Sequence, residues 1–167
     1  MVPTLNHQHL LELARLSPQD ERAVLSCAGS LQRAAEAGTV QPLLRGKRLG
    51  LLCELDDEID AALFRSAAAG LGAHVAQVRP HLSTLSTEEE VRHTARMLGR
   101  LYDAVDCEGM SATLVKQVSD AAGIPIYNGL ATDVHPIAAL AAQLGGDAPL
   151  QDKRRFVLQA LLLSSIG

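Results

Sequence analysis

Tryptophan is absent from this 167-residue chain, and tyrosine and phenylalanine occur only twice each. So few rings exclude a platform for stacking nucleic-acid bases. They also leave Leu, Ala, Val and Ile to fill the interior. Positive charge is scarce as well. Fifteen Lys and Arg against 19 Asp and Glu give a net charge of −4, which is no electrostatic footprint for nucleic acid or an anionic membrane. Apolar runs long enough to span a bilayer are missing. No basic stretch leading into an apolar run opens the chain around Pro3–His9, so a soluble, untargeted, cytoplasmic protein is expected. Cys27, Cys53 and Cys107 are odd in number, lack metal-ligand spacing and sit in apolar stretches, which predicts reduced, inert thiols. His7, His9, His74, His81 and His93 show no zinc-ligand spacing. No cofactor and no metal is expected.

What the chain does have is apolar content, 47% of its residues. A globule of this length buries roughly 68–70% of the surface its unfolded chain exposes, enough for one self-sufficient domain. Helical periodicity runs from Leu10 to Ala37, interrupted at Ser17-Pro18, where Ser17 suits an N-cap and Pro18 a first helical position. A short apolar strand is predicted over Arg48–Leu55. A helix starts at Asp56-Asp57, with Glu58 and Asp60 in its first turn, and closes at Gly70 and Gly72. Ala73–Val78 reads as the second strand. Thr87 and Glu90 have capping-box spacing ahead of a helix whose stripe is Val91, Ala95, Leu98 and Leu101. Strand Asp103–Cys107, helix Ser111–Ala122 and strand Ile124–Tyr127 follow. A further helix is predicted from His135-Pro136 to Leu144, then a linker Gly145–Pro149 and a last helix Gln151–Ile166. That helix is too apolar to be left in water, so it must cover the domain or a partner.

Strands alternating with helices at this interval predict a three-layer α/β domain: a four-stranded parallel sheet with helices on both faces.

Several collinear blocks carry a more specific signal. Gln41-Pro42-Leu43-Leu44-Arg45-Gly46-Lys47 precedes the first strand. His93-Thr94-Ala95-Arg96-Met97-Leu98-Gly99-Arg100-Leu101-Tyr102-Asp103 leads into the third. Ile124-Pro125-Ile126-Tyr127-Asn128-Gly129-Leu130 and His135-Pro136 follow. In order and spacing these resemble the carbamoyl-phosphate domain of ornithine and aspartate transcarbamoylases over roughly Leu10–Leu144. The resemblance implies an active site at the carboxyl ends of the strands. There the family's Ser-Thr-Arg-Thr-Arg motif, at a helix N-terminus after the first strand, cradles the phosphate.

At those positions this sequence has Asp57, Glu58, Ile59, Asp60 and Ala61. The other ligand positions implied by the resemblance have changed in the same direction. Glu108 stands where the family has an arginine after the third strand, and Glu88 where ornithine transcarbamoylases place a lysine. Ala138 replaces the glutamine of His-Pro-x-Gln, so that of the motif His135-Pro136 remains. The family's amino-acid domain has no counterpart. Residues 151–166 resemble its terminal helix returning to the first domain, so 1–167 is expected to be a single domain with the amino-acid domain excised. Both substrates then lose their sites, and no catalytic residue is assigned. His135 keeps the position at which the family contacts the carbamoyl group, without the groups that would act beside it.

The expected function is therefore a catalytically inactive transcarbamoylase-like protein acting by association. Its partner would be its own copies, as the trimer implied by the resemblance, or a transcarbamoylase paralogue. A different reading treats Glu54, Asp56, Asp57, Glu58 and Asp60 as a pocket for a divalent cation or an amine. Against it, acids at a helix start complement the helix dipole without any ligand. Residual carbamoyltransferase activity in amino-acid metabolism ranks last. Lys153-Arg154-Arg155 is expected to be a solvated first turn.

Overall fold

The computed structural model describes residues 16–53, 59–79, 81–132, 135 and 138–166. The opening helix predicted from Leu10, and the acids Glu54, Asp56, Asp57 and Glu58, lie outside them.

Helix α1 is Pro18–Glu36. As expected, the Ser17 hydroxyl accepts from the Asp20 amide at 3.1 Å, and proline occupies the first turn, where no N–H is needed. Strand β1, Arg48–Leu52, leads to α2, Ile59–Gly70, and then to β2, His74–Val78. Helix α3, Glu88–Leu101, has the full capping box: Glu90 N–H donates to Thr87 Oγ1 at 3.2 Å, and Thr87 N–H donates to the Glu90 carboxylate at 2.8 Å. Strand β3 is Ala104–Cys107, and α4, Ala112–Ala122, starts on a Ser111 cap and stops at Gly123, whose φ of 73° is the left-handed turn glycine tolerates. Strand β4 is Ile126–Asn128, α5 is Ala138–Ala141, and α6 is Leu150–Ile166.

The four strands are all parallel in the order β2-β1-β3-β4. Strands β1 and β3 are central, and their continuous apolar burial follows from being covered on both faces. Alternate residues of β1 divide between two cores. Leu49 and Leu51 pack with α1, α2, α5 and α6 on one face, while Leu52 packs with α3 and α4 on the other. In the second layer Gly99 allows the close approach of α3 to the end of α4: a Cβ there would lie 2.1 Å from the Ala122 carbonyl oxygen.

The last helix covers the domain itself. Every residue from Phe156 to Ser164 is buried, the all-round burial expected of a helix apolar all round. It packs against α1, α2 and α5. No helix among the described residues is long and apolar enough to cross a membrane.

The larger departures from the sequence expectation fall in three elements. Strand β1 ends at Leu52 rather than Leu55. Strand β4 begins after Pro125, which has no N–H to give to a ladder, and extends to Asn128. Of the helix expected from His135 to Leu144, the described helical part is Ala138–Ala141. Before it, His135 N–H donates to Thr132 O at 3.2 Å and Ala138 N–H to His135 O at 2.9 Å. Three-residue turns close it, Leu144 N–H reaching Ala141 O at 3.2 Å.

Candidate functional site at the carboxyl end of β3

The winding of the chain reverses between β1 and β3: from β1 it moves outward to β2, then returns to the other side of β1 for β3 and on to β4. In an open parallel sheet, the crevice outside the carboxyl ends of the strands at such a reversal is where ligands bind. Glu108 follows the last residue of β3, and its N–H donates to Leu52 O, the last residue of β1, at 2.8 Å. The described side of the crevice is built from this junction and from the loop after β4.

Asp106 is fully buried on β3, and Glu108, two residues on, is only 4% exposed. Glu108 lies just past the end of the strand, and its charge acts directly on Asp106. Asp106 Oδ1 accepts from the Leu130 amide at 3.1 Å, which ties β3 to the loop after β4. Oδ2 meets no conventional donor among the described residues. Two acids buried this close are not both charged without a large penalty. Burial, then the adjacent charge of Glu108, push Asp106 well above the usual carboxylate range, against the opposing pull of the Leu130 amide. The acid form of Asp106 is the consistent one.

The surroundings follow the same logic. Burial holds the Cys107 thiol far above its ordinary range, and the Asp106 and Glu108 charges add to this, so the expectation of an unreactive thiol agrees with its setting. On β4, Tyr127 is fully buried and its hydroxyl pairs with Ser165 of α6. Burial raises this phenol strongly, the Ser165 hydrogen bond opposes the rise, and the Asp106 charge adds to it.

The loop after β4 is folded on itself. Gly129 N–H donates to Cys107 O at 2.8 Å, and Thr132 returns both its N–H, at 3.0 Å, and its hydroxyl, at 2.8 Å, to Gly129 O. His135 is buried, at 3% exposure. Arg154 of α6 reaches the same loop, its Nη2 donating to Ala131 O at 2.7 Å. This corrects the expectation of a solvated first turn: Lys153, Arg154 and Arg155 are all half-buried. Lys153 Nζ donates to Gly146 O at 2.9 Å, and Arg155 lies 5.1 Å over the Phe156 ring.

Of the positions singled out in the sequence, Asp57 and Glu58 lie outside the described residues. Ile59 is exposed as the first residue of α2, Asp60 is half-buried in its first turn, and Ala61 is in the core. Glu88 is exposed and lines a groove of about 280 Å³ with Val91 and Arg92 of α3 and Gln117 and Asp120 of α4. Glu108 joins the β3 junction. His135 and Ala138 join the loop after β4, Ala138 lining a small pocket with Leu130, Thr132 and Arg154. Among the described residues no three His, Cys, Asp or Glu side chains gather as a metal-ligand set.

Asp106 went unnoticed in the sequence. The available signal was an acid inside a strand otherwise apolar at every position, followed two residues later by another acid. Arg154 carried no signal beyond being one of three adjacent cations.

Comparison with known proteins completes the description. Residues 8–144 match the family model described as aspartate/ornithine carbamoyltransferase, carbamoyl-P binding domain. An ornithine carbamoyltransferase of Cutibacterium acnes is 36% identical over 144 residues, which are 86% of this chain and 43% of that protein. A catabolic ornithine carbamoyltransferase of Burkholderia mallei is 36% identical over 154 residues, 90% of this chain and 46% of that protein. The solved ornithine carbamoyltransferase of Pyrococcus furiosus superposes with a TM-score of 0.65 at 25% identity, covering 86% of this chain and 44% of that one. The chain thus spans less than half the length of these relatives.

Proposed function

Because the chain belongs to the aspartate/ornithine carbamoyltransferase family through its carbamoyl-phosphate-binding domain, we propose that it is a family member that no longer binds the anion and acts by association. The observation that carries this reading is the Asp106–Glu108 pair, buried at the β1–β3 crevice where an oxyanion would approach. Like charges about 4 Å apart repel by roughly 1 kcal/mol in water and roughly 4 kcal/mol at an effective dielectric of 20. Glu108 takes the place of an arginine in the resemblance drawn from the sequence. Exchanging a guanidinium for an acid removes an attraction and adds a repulsion.

Arg154 supports the same reading, because its hydrogen bond to Ala131 O directs it to the backbone of the loop. So does α6, which covers α1 and α2 directly after a short connection from α5, as the family's terminal helix would with the amino-acid domain excised.

Titration calorimetry with carbamoyl phosphate is expected to give no saturable heat up to millimolar concentration. Saturable binding at or below that range overturns the loss of anion binding. Association is read separately by light scattering after size exclusion, where a mass well above the 17.7 kDa of one chain is expected. A monomer that also fails to retain a full-length transcarbamoylase overturns that part.

A further inference from the structure

We propose that two copies of this chain join edge to edge through β2, the two strands pairing antiparallel about a twofold axis at Ala76 so that the two sheets run on as one. This deepens the association reading above and rests on it, naming the surface and its occupant. The first ground is the register of the free edge. Strand β2 ends the sheet order, and its strand neighbour among the described residues is β1. His74 N–H donates to Lys47 O at 2.9 Å, and Val78 O accepts from Cys53 N–H at 3.2 Å. The backbone groups of His74, Ala76 and Val78 therefore turn toward β1, and those of Val75 and Gln77, alternating with them, turn to the outer edge. A second β2 running antiparallel, with Val75 opposite Gln77 of the second copy, satisfies both N–H and both C=O groups on each strand. Ala76 then faces Ala76 of the second copy as the pair without hydrogen bonds, about 4.5 Å apart between Cα atoms.

The second ground is what the edge lacks. A strand left at a sheet edge in water is ordinarily guarded by a charged residue, a proline, a bulge or a covering element. His74-Val75-Ala76-Gln77-Val78 contains no Lys, Arg, Asp, Glu or Pro, and it pairs with β1 residue for residue, without a bulge. His74 and Ala76 are exposed. Helix α2, which packs beside β2, has the same character: its exposed residues Ile59, Ala62, Ser66, Ala69 and Gly70 are all uncharged. Ile59 is 74% exposed. Depletion of charge marks the centre of a protein interface. The twofold carries the α2 helices of both copies to one side of the joined sheet, adding area that a short strand alone lacks for a stable dimer. At the other edge of the sheet, Ile126 and Tyr127 of β4 are buried, so pairing through β2 closes at two chains.

Light scattering after size exclusion is expected to give twice the 17.7 kDa of one chain. Ala76→Lys sets two like charges directly opposite each other on the axis, and its mass is expected to fall to that of one chain. Ala76→Glu is expected to do the same, and an equimolar mixture of the two variants to recover the double mass, because lysine then faces glutamate. Ala76 is exposed, so neither substitution enters the core. Hydrogen exchange on the unmodified protein supplies a reading that needs no variant. The Val75 and Gln77 amides are expected to be protected at high protein concentration and to exchange on dilution, while the Ala76 and Val78 amides, turned to β1, stay protected throughout. A parent mass of one chain or of three overturns the β2 pairing, as does a double mass that both Ala76 variants retain, or Val75 and Gln77 amides that exchange freely in the dimer. A three-chain mass leaves the association reading standing, as does a single chain that retains a full-length transcarbamoylase. A single chain that retains none overturns both.

Discussion

Alanine in place of Gly29 and alanine in place of Gly99 are expected to shift stability in opposite directions, although both glycines lie inside helices. Helix propensity alone favours each change by about 1 kcal/mol. At Gly29 of α1 nothing opposes it. An added Cβ would lie 3.4 Å from Arg33 Nη1, the mobile end of a side chain, and 3.9 Å from a Leu144 methyl. Gly29→Ala should therefore gain about 1 kcal/mol, or roughly 2–4 °C in melting temperature for a chain of this size. At Gly99 of α3 the added Cβ would lie 2.1 Å from the Ala122 carbonyl oxygen. Close C···O contacts begin near 3.3 Å, so the two helices must part by roughly 1.2 Å. The obstacle is backbone at the Gly123 cap, so no rotamer change relieves it. Overpacking of this kind costs about 1–3 kcal/mol. Taking the upper end and subtracting the propensity gain leaves a net loss of about 2 kcal/mol, or roughly 4–8 °C. Urea unfolding followed by far-UV circular dichroism, with a common m-value, gives both signs. If Gly99→Ala matches or exceeds the parent, the packing of α3 on α4 is looser than described and the argument fails.

Four further outcomes are expected. Leu161→Ala, a full truncation within the buried face of α6, should cost about 2.7–5 kcal/mol in urea unfolding; a loss below 1 kcal/mol would mean that α6 does not seal the α1–α2 surface. Thr87→Ala removes one half of the α3 capping box and should cost about 1 kcal/mol, with Thr87→Ser restoring most of it. Ellman's reagent should leave Cys53 and Cys107 untouched in the folded protein, since both are buried and the Cys107 thiol is pushed far above its usual range, and label them once urea unfolds it. For pH, the folded state holds the Asp106 proton more tightly than the unfolded chain does. Its contribution is therefore complete below about pH 4 and is lost as pH rises toward the raised folded value, by at most about 1.4 kcal/mol per unit. Asp106→Asn should flatten that part of the profile, and identical pH profiles for parent and variant would refute the assignment.

Much of the fold was legible because its signals are local. Ser17, Thr87 and Ser111 announce helix starts through the hydroxyl that accepts the third following amide. The alternation of helix and short apolar strand requires a parallel sheet. Strand ends were less legible, because they depend on which residues find ladder partners: β1 stops at Leu52 and β4 takes in Asn128 by pairing with Cys107. Glu108 was singled out in the sequence through the resemblance. Its partnership with Asp106 was not, because a contact between two acids runs against the expectation that like charges separate. Only the depth of burial makes it reasonable. Arg154 is similar: whether a cation in a first helical turn is solvated or turned inward depends on a carbonyl more than 20 residues away in sequence.

On the proposed reading, the acid pair also bears on how a family site could change sign without destabilising its own fold. Replacing a cation by an acid in a buried crevice would ordinarily leave an uncompensated negative charge, a defect of several kcal/mol. Here the strand supplies a second acid at the position two residues earlier, and two carboxyls together can retain a proton that neither would retain alone. In this way a proton does the neutralising that an arginine does in the resemblance. The Leu130 amide is engaged at Asp106 Oδ1, and Arg154 at Ala131 O of the same loop. An incoming oxyanion would have to break one of these contacts before making its own. An enzyme of this family needs donors left open for its substrate. In the described half of this crevice the Leu130 amide and Arg154 Nη2 are turned to internal acceptors.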